Sequence, residues 1–266
     1  MPFVVYSDEN TTSRNIGRAI LAAEDFEELE KISGYRHFRG DMLDVLEIDR
    51  GLLTCDFLDG IIKTGVIVFA CSHFSSRGIA SLTVHPEGNW SSEAKLGGKP
   101  RELSTASPDY MLSMIESLNK NNSTRLPVIY EATHHGPLLK TPSLFVEVGG
   151  NKEALESEEY GAVVAKSVID MLSNNSPKSG MKECVLGIGG MHYAEKFTKL
   201  ALDMGYAFSH IMAKYYVPEI GMLEQAVERS SIKPAKAVIE WKSIKASDRE
   251  KIIKELNRIG IDYERV

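Results

Sequence analysis

Short apolar runs rich in β-branched residues, alternating with amphipathic stretches, constrain this chain more than any other feature. The runs at 3–6, 43–48, 65–71, 79–84, 128–131, 144–148 and 184–188 are too short for stable helices and apolar enough to lie inside a sheet. Between them, the spacing of apolar residues predicts helices over 15–31, 108–118, 153–172, 195–204 and 248–259. Such alternation predicts an α/β protein, three layers deep (α/β/α), around a mixed, mostly parallel sheet. The mixed character is expected from hairpin-like spacing around 79–90, and 119–125 reads as a polar surface loop. Ser13-Arg14-Asn15 is suited to capping the first helix. Residues 173–180, rich in Asn, Ser, Pro and Gly, read as a linker. Residues 1–266 are expected to form one domain, in which 173 onward could make a smaller lobe.

Composition narrows the function classes. No apolar stretch approaches the roughly 20 residues needed to cross a bilayer, and no basic segment precedes a hydrophobic run at the N-terminus, so a cytoplasmic protein is expected. Cys55, Cys71 and Cys184 are scattered and odd in number, which suits buried free thiols rather than a disulfide framework. A net charge of −6 argues against broad nucleic-acid binding. Residues 232–258 nevertheless hold eight cations against four acids, enough for a limited contact with a phosphate backbone.

The chemistry sits where the apolar runs end. Ser72-His73 follows the run at 65–71, and His85-Pro86-Glu87-Gly88-Asn89 follows 79–84. Glu131-Ala132-Thr133-His134-His135-Gly136-Pro137 follows 128–130. Glu147 lies within 144–148, and Gly187-Ile188-Gly189-Gly190-Met191-His192-Tyr193 closes the run at 184–188. Five of the seven histidines therefore lie at or just beyond a strand end. In a parallel sheet all five would enter one crevice at the carboxyl edge. Imidazole suits both proton transfer near neutral pH and zinc ligation. His134, His135, Glu131 and His192 are thus candidate catalytic residues, and His73, His85, His134, His135 and Glu147 candidate metal ligands. Gly187, Gly189, Gly190, Tyr193, Ser72 and Asn89 are candidate substrate-binding residues. The glycines read either as a tight turn or as amides that cradle an oxyanion or phosphate. His-Glu-x-x-His and Gly-x-Ser-x-Gly are both absent, which speaks against a zincin protease and a classical serine hydrolase.

Together, Ser72-His73-Phe74-Ser75-Ser76, Leu82-Thr83-Val84-His85 through Gly88-Asn89-Trp90, Thr133-His134-His135-Gly136-Pro137, Phe145-Val146-Glu147-Val148-Gly149 and Gly189-Gly190-Met191-His192-Tyr193 resemble the archaeal and plant type of D-aminoacyl-tRNA deacylase. The resemblance covers essentially the whole chain. It implies a phosphorylase/hydrolase-like α/β/α fold related to peptidyl-tRNA hydrolase, zinc dependence, and hydrolysis of the ester linking a D-amino acid to the terminal ribose of tRNA. The expected partner is charged tRNA, with no membrane and no stable protein partner, the enzyme being a monomer or weak oligomer. The segment 232–258 is the expected contact for the acceptor stem. One departure is Ser209 before His210, where the family often has glycine. The rival readings are a zinc amidohydrolase or peptidase with a small substrate, and a non-catalytic tRNA-binding protein.

Overall fold

The computed structural model describes residues 1–74, 78–173 and 180–266. In chain order the strands are β1 (Phe3–Ser7), β2 (Glu27–Ile32), β3 (Tyr35–Arg39), β4 (Asp44–Ile48), β5 (Ile67–Phe74), β6 (Ser81–His85), β7 (Gly88–Asn89), β8 (Glu102–Leu103), β9 (Val128–Tyr130), β10 (Ser143–Gly150), β11 (Glu183–Ile188), β12 (Tyr206–Met212), β13 (Lys236–Ile239) and β14 (Asp262–Arg265). The helices are α1 (Thr11–Ala23), α2 (Leu58–Ile61), α3 (Pro108–Asn121), α4 (Lys152–Glu156), α5 (Glu158–Ser173), α6 (Glu195–Met204), α7 (Leu223–Glu228) and α8 (Ala246–Ile259).

The expected α/β protein is present. Its main sheet has the order β2-β3-β4-β1-β5-β10-β6-β9, and a second sheet has the order β12-β11-β13-β14. The second sheet is parallel throughout, as are the β4-β1-β5-β10 pairings and β6-β9. The β10–β6 pair is antiparallel, which makes the main sheet mixed. Because side chains alternate along a strand, β1 and β5 send Val4, Tyr6, Val68 and Ala70 to one face. There they meet α1, α3 and α5 in a core that continues into the second sheet through Val185, Phe208 and Val238. The other face carries Val5, Phe69, Cys71 and Phe145 against Leu52, Leu58 and Ile62. A third core packs Leu186, Ile188 and Ile239 against α7 and α8.

Several local expectations change. The helix predicted over 15–31 begins at Thr11 and ends at Ala23, and Glu27–Ile32 is an edge strand. Its acidic side chains keep that edge solvated and discourage further pairing. The reversal into β3 falls on Ser33 and Gly34, at φ 51° and 92°. Asn10, not the Ser13–Asn15 segment, caps α1, accepting a bond from Ser13 N. The Ser13 hydroxyl instead accepts from Ser7 N and donates to Ala70 O, tying the helix to β1 and β5. The helix predicted over 153–172 breaks at Ser157, whose ψ of 114° leaves the helical region and whose hydroxyl accepts from Tyr160 N. The polar start of the loop expected at 119–125 belongs to α3, which runs to Asn121. Of the linker read at 173–180, residues 174–179 lie outside the described residues, as do Ser75 and Ser76.

Candidate active site

Register brings the site together on a sheet face rather than at a sheet edge. In the β5–β10–β6 region, Glu147 stands between Cys71 and Thr83, His85 is opposite Phe145, and His73 is opposite Gly149. These odd-numbered positions share one face. The expectation of a single carboxyl edge does not hold, because β6 and β9 run opposite to β5 and β10. The same alternation removes Ser72 from the cluster: it faces the α1 side, where its hydroxyl accepts from Asn10 Nδ2.

The 131–137 loop lies across that face. Glu131 N donates to Val84 O, Ala132 N to His192 O, Thr133 N to Ile211 O, and Gly88 N to His135 O, at 2.7–3.0 Å. The loop is therefore stitched to β6, to the turn after β11 and to β12, which carries His192 to the others. His73, Glu131, His134 and His192 offer ligand atoms within 4.8 Å of one another, as do His85, His134 and His135, and His85, Glu131 and Glu147. Glu131 Oε2 lies 3.0 Å from His192 Nε2, 3.4 Å from His73 Nδ1 and 3.5 Å from His134 Nε2. Glu147 Oε2 lies 3.3 Å from His85 Nε2 and 3.8 Å from His73 Nδ1.

The backbone fixes the tautomers. The Nδ1 atoms of His85, His134 and His135 approach the carbonyls of Pro86, Ala132 and Gly136 at 3.1, 2.8 and 2.6 Å. A carbonyl only accepts, so each Nδ1 carries the proton and each Nε2 is directed inward. Burial, and then the neighbouring imidazoles, hold His134 well below the usual histidine range. Burial and the charge of His85 lower His135 to about 4. Both rings are neutral at pH 7, with Nε2 lone pairs available. For His85 and Glu147 burial disfavours either charge, but their hydrogen bond and mutual attraction prevail, raising the histidine and lowering the carboxyl.

Glu131 is fully buried, and neither carboxylate oxygen has a hydrogen-bond partner. A buried carboxylate left so is costly unless a cation neutralises it. Three imidazole nitrogens within 3.5 Å of one of its oxygens form a donor set that fits zinc. The carbonyls behind three of the rings supply the orienting contacts a metal-binding histidine needs.

The remaining sequence candidates separate. Tyr193 lines the cavity in front of the cluster, its ring centroid 5.9 Å from that of His73. Gly190 also lines it, but its amide donates to Ser243 Oγ, and that of Gly189 to Met212 O. Neither amide is free to cradle an anion. Gly187 is buried inside β11, where an added Cβ would meet Ile211, Phe197 and Phe208, so its smallness serves packing. The Asn89 amide donates to Gly97 O and Lys99 O, clamping a loop rather than a ligand. Within 232–258 three of the eight cations are ion-paired: Lys236 with Glu183 and Glu264, Arg258 with Glu255 and Glu224, Lys251 with Asp248.

At the departure noted before His210, the Ser209 hydroxyl donates to Val185 O across a register shift between β11 and β12. His210 donates from Nε2 to Arg229 O and holds Nδ1 3.2 Å from the Thr133 hydroxyl, bracing the loop from behind. Burial lowers its pKa from 6.5 to about 4. The folded state therefore holds this ring neutral while the unfolded chain takes up a proton, so its stabilisation is complete above pH 6.5 and lost as pH falls toward 4. We expect the stability gap between wild type and His210→Gln to narrow by about 3 kcal/mol between pH 7 and pH 4. Urea denaturation at both pH values measures it, and a constant gap would contradict the assignment.

The D-aminoacyl-tRNA deacylase family model matches residues 62–264. Curated D-aminoacyl-tRNA deacylases from Pyrococcus furiosus and Thermococcus kodakarensis are 33% and 32% identical, over 99% and 100% of both chains respectively. The crystal structure of a conserved protein of unknown function superposes with a TM-score of 0.91 at 28% identity, over 100% of this chain and 95% of the other. With the family model spanning most of its length and relatives aligned end to end, the chain belongs to the D-aminoacyl-tRNA deacylase family.

Proposed function

We propose that this protein hydrolyses the ester bond of D-aminoacyl-tRNA, releasing the free D-amino acid and tRNA, with zinc held by the imidazole–carboxylate cluster. The observation that carries the reading is Glu131: a fully buried carboxylate that no hydrogen bond satisfies, among three imidazole nitrogens and beside a cavity of about 780 Å³. Among the described residues no helix is long and apolar enough to cross a membrane, in keeping with a tRNA substrate.

His73, His134, His192 and Glu131 would hold the metal, with two further groups, His85 with His134 and His135 and His85 with Glu131 and Glu147, overlapping that set. When bound there, zinc supplies a Lewis acid and lowers the pKa of a coordinated water to about 7. The protein's own residues do the rest. The backbone carbonyls behind His85, His134 and His135 keep the ring nitrogens aimed inward. Glu147 pairs with His85 and balances its charge. His192 and Tyr193 face the cavity, with the Tyr193 ring beside that of His73. The walls of the cavity orient the ester toward the cluster.

Dialysis against a chelator should reduce D-tyrosyl-tRNA hydrolysis by at least about 100-fold, and zinc should restore it. His134→Ala and His135→Ala should each lose activity without restoration. Undiminished turnover by verified metal-free protein would end the metal proposal, and wild-type turnover by both variants would remove these residues from the chemistry.

A further inference from the structure

Phe74, Ile79 and Met191 are 74%, 52% and 55% exposed, yet all three line the cavity beside the cluster. Among the described residues eight large apolar side chains are exposed, and three of the eight meet here. We propose that Phe74, Ile79 and Met191 form the seat for the terminal adenine base of the tRNA substrate. The inference rests on the deacylase reading, which places the scissile ester on the ribose bearing that base.

Position is the first argument. Phe74, Ile79 and Met191 line the same cavity as His73 and His192, the imidazoles that face the ester. A base joined to the reacting ribose must lie within one nucleoside of those rings. Size is the second: about 780 Å³ lies in the upper range of small-ligand sites and exceeds the needs of an aminoacyl group alone. Charge decides what holds the substrate. Lys196 and Lys214 on the cavity wall are matched by Glu195 and Glu240, so net attraction for phosphate is weak, whereas an aromatic face and a thioether suit a stacked base.

The test uses the full-length protein and two probes: the amide analogue of D-tyrosyl-adenosine, which cannot be hydrolysed, and D-tyrosinamide, which lacks the nucleoside. Calorimetric titration of Phe74→Ser and Met191→Ser should show affinity for the nucleoside probe reduced about 10-fold, as loss of a stacking contact would give. Affinity for D-tyrosinamide should change less than about 2-fold. Both side chains are exposed, so melting temperatures should match wild type. Unchanged nucleoside affinity, or an equal loss on both probes, would overturn the seat. Wild-type hydrolysis of D-tyrosyl-tRNA is measured in parallel. Its absence would remove the deacylase reading, while a base-dependent loss of affinity would still support the seat.

Discussion

Glu131→Gln is expected to lower kcat/KM for D-tyrosyl-tRNA by at least about 1000-fold and to abolish stoichiometric zinc binding. The substitution preserves shape, removes the charge and exchanges one acceptor oxygen for an NH2 donor, so it tests the carboxylate as an anionic ligand. Both of its oxygens are buried without a hydrogen bond, and Oε2 lies 3.0–3.5 Å from nitrogens of His73, His134 and His192. An amide there supplies no negative charge to offset a divalent cation, and removing one partner of a buried charge pair leaves the other uncompensated. Loss of an orienting group behind a ligand typically costs 10–100-fold, and loss of a ligand should exceed that. Zinc should raise the melting temperature of metal-free wild type but not of Glu131→Gln, since a ligand stabilises only the state that binds it. A variant that retains one equivalent of zinc and activity within about 10-fold of wild type would displace Glu131 from the centre of the site.

The second large effect is structural. Gly136 sits where an added Cβ would stand 2.5 Å from Leu53 O and closer still to the backbones of Gly97 and Gly98. All three neighbours are main chain, so no side-chain rotation relieves the clash. Gly136→Ala must push apart the 131–137 loop and the 97–98 turn, which is itself held by Asn89 through Gly97 O. The expected destabilisation is about 4 kcal/mol, a fall of roughly 10 °C in melting temperature for a chain of this size, with hydrolysis lost because His134 and His135 leave the cluster. Gly60→Ala is the matched control: an added Cβ there meets nothing within 4 Å. It should melt within about 2 °C of wild type. Similar melting curves for the two variants would show that the loop is not braced at Gly136.

Legibility in the sequence followed the physics of each element. β5, β10 and β11 were readable because strands buried on both faces must be apolar throughout. β2 was not, since this exposed edge strand carries charge at four of its six positions, and Glu27–Ile32 imitates the solvated end of a helix. β12 buries Ser209 and His210 within its run, and β13 has four residues, so neither resembles an isolated apolar strand. Ser72 and Asn89 share composition with a binding site, yet strand alternation turns one away and a loop clamp occupies the other.

The sequence by itself determined that this is an α/β protein and that ionisable groups gather near the ends of its apolar runs. Both follow from local rules: hydrophobic period selects the secondary structure, and polar residues end a buried strand. Only the tertiary structure decided that His73, His85 and Glu147 share one sheet face despite strands of opposite direction, and that Glu131, His134, His135 and His192 are brought to them. It also decided that the Gly189 and Gly190 amides are already engaged and that Glu131 is buried without a hydrogen bond. Those outcomes depend on register and on the path of the 131–137 loop, which arise from contacts between residues far apart in the chain.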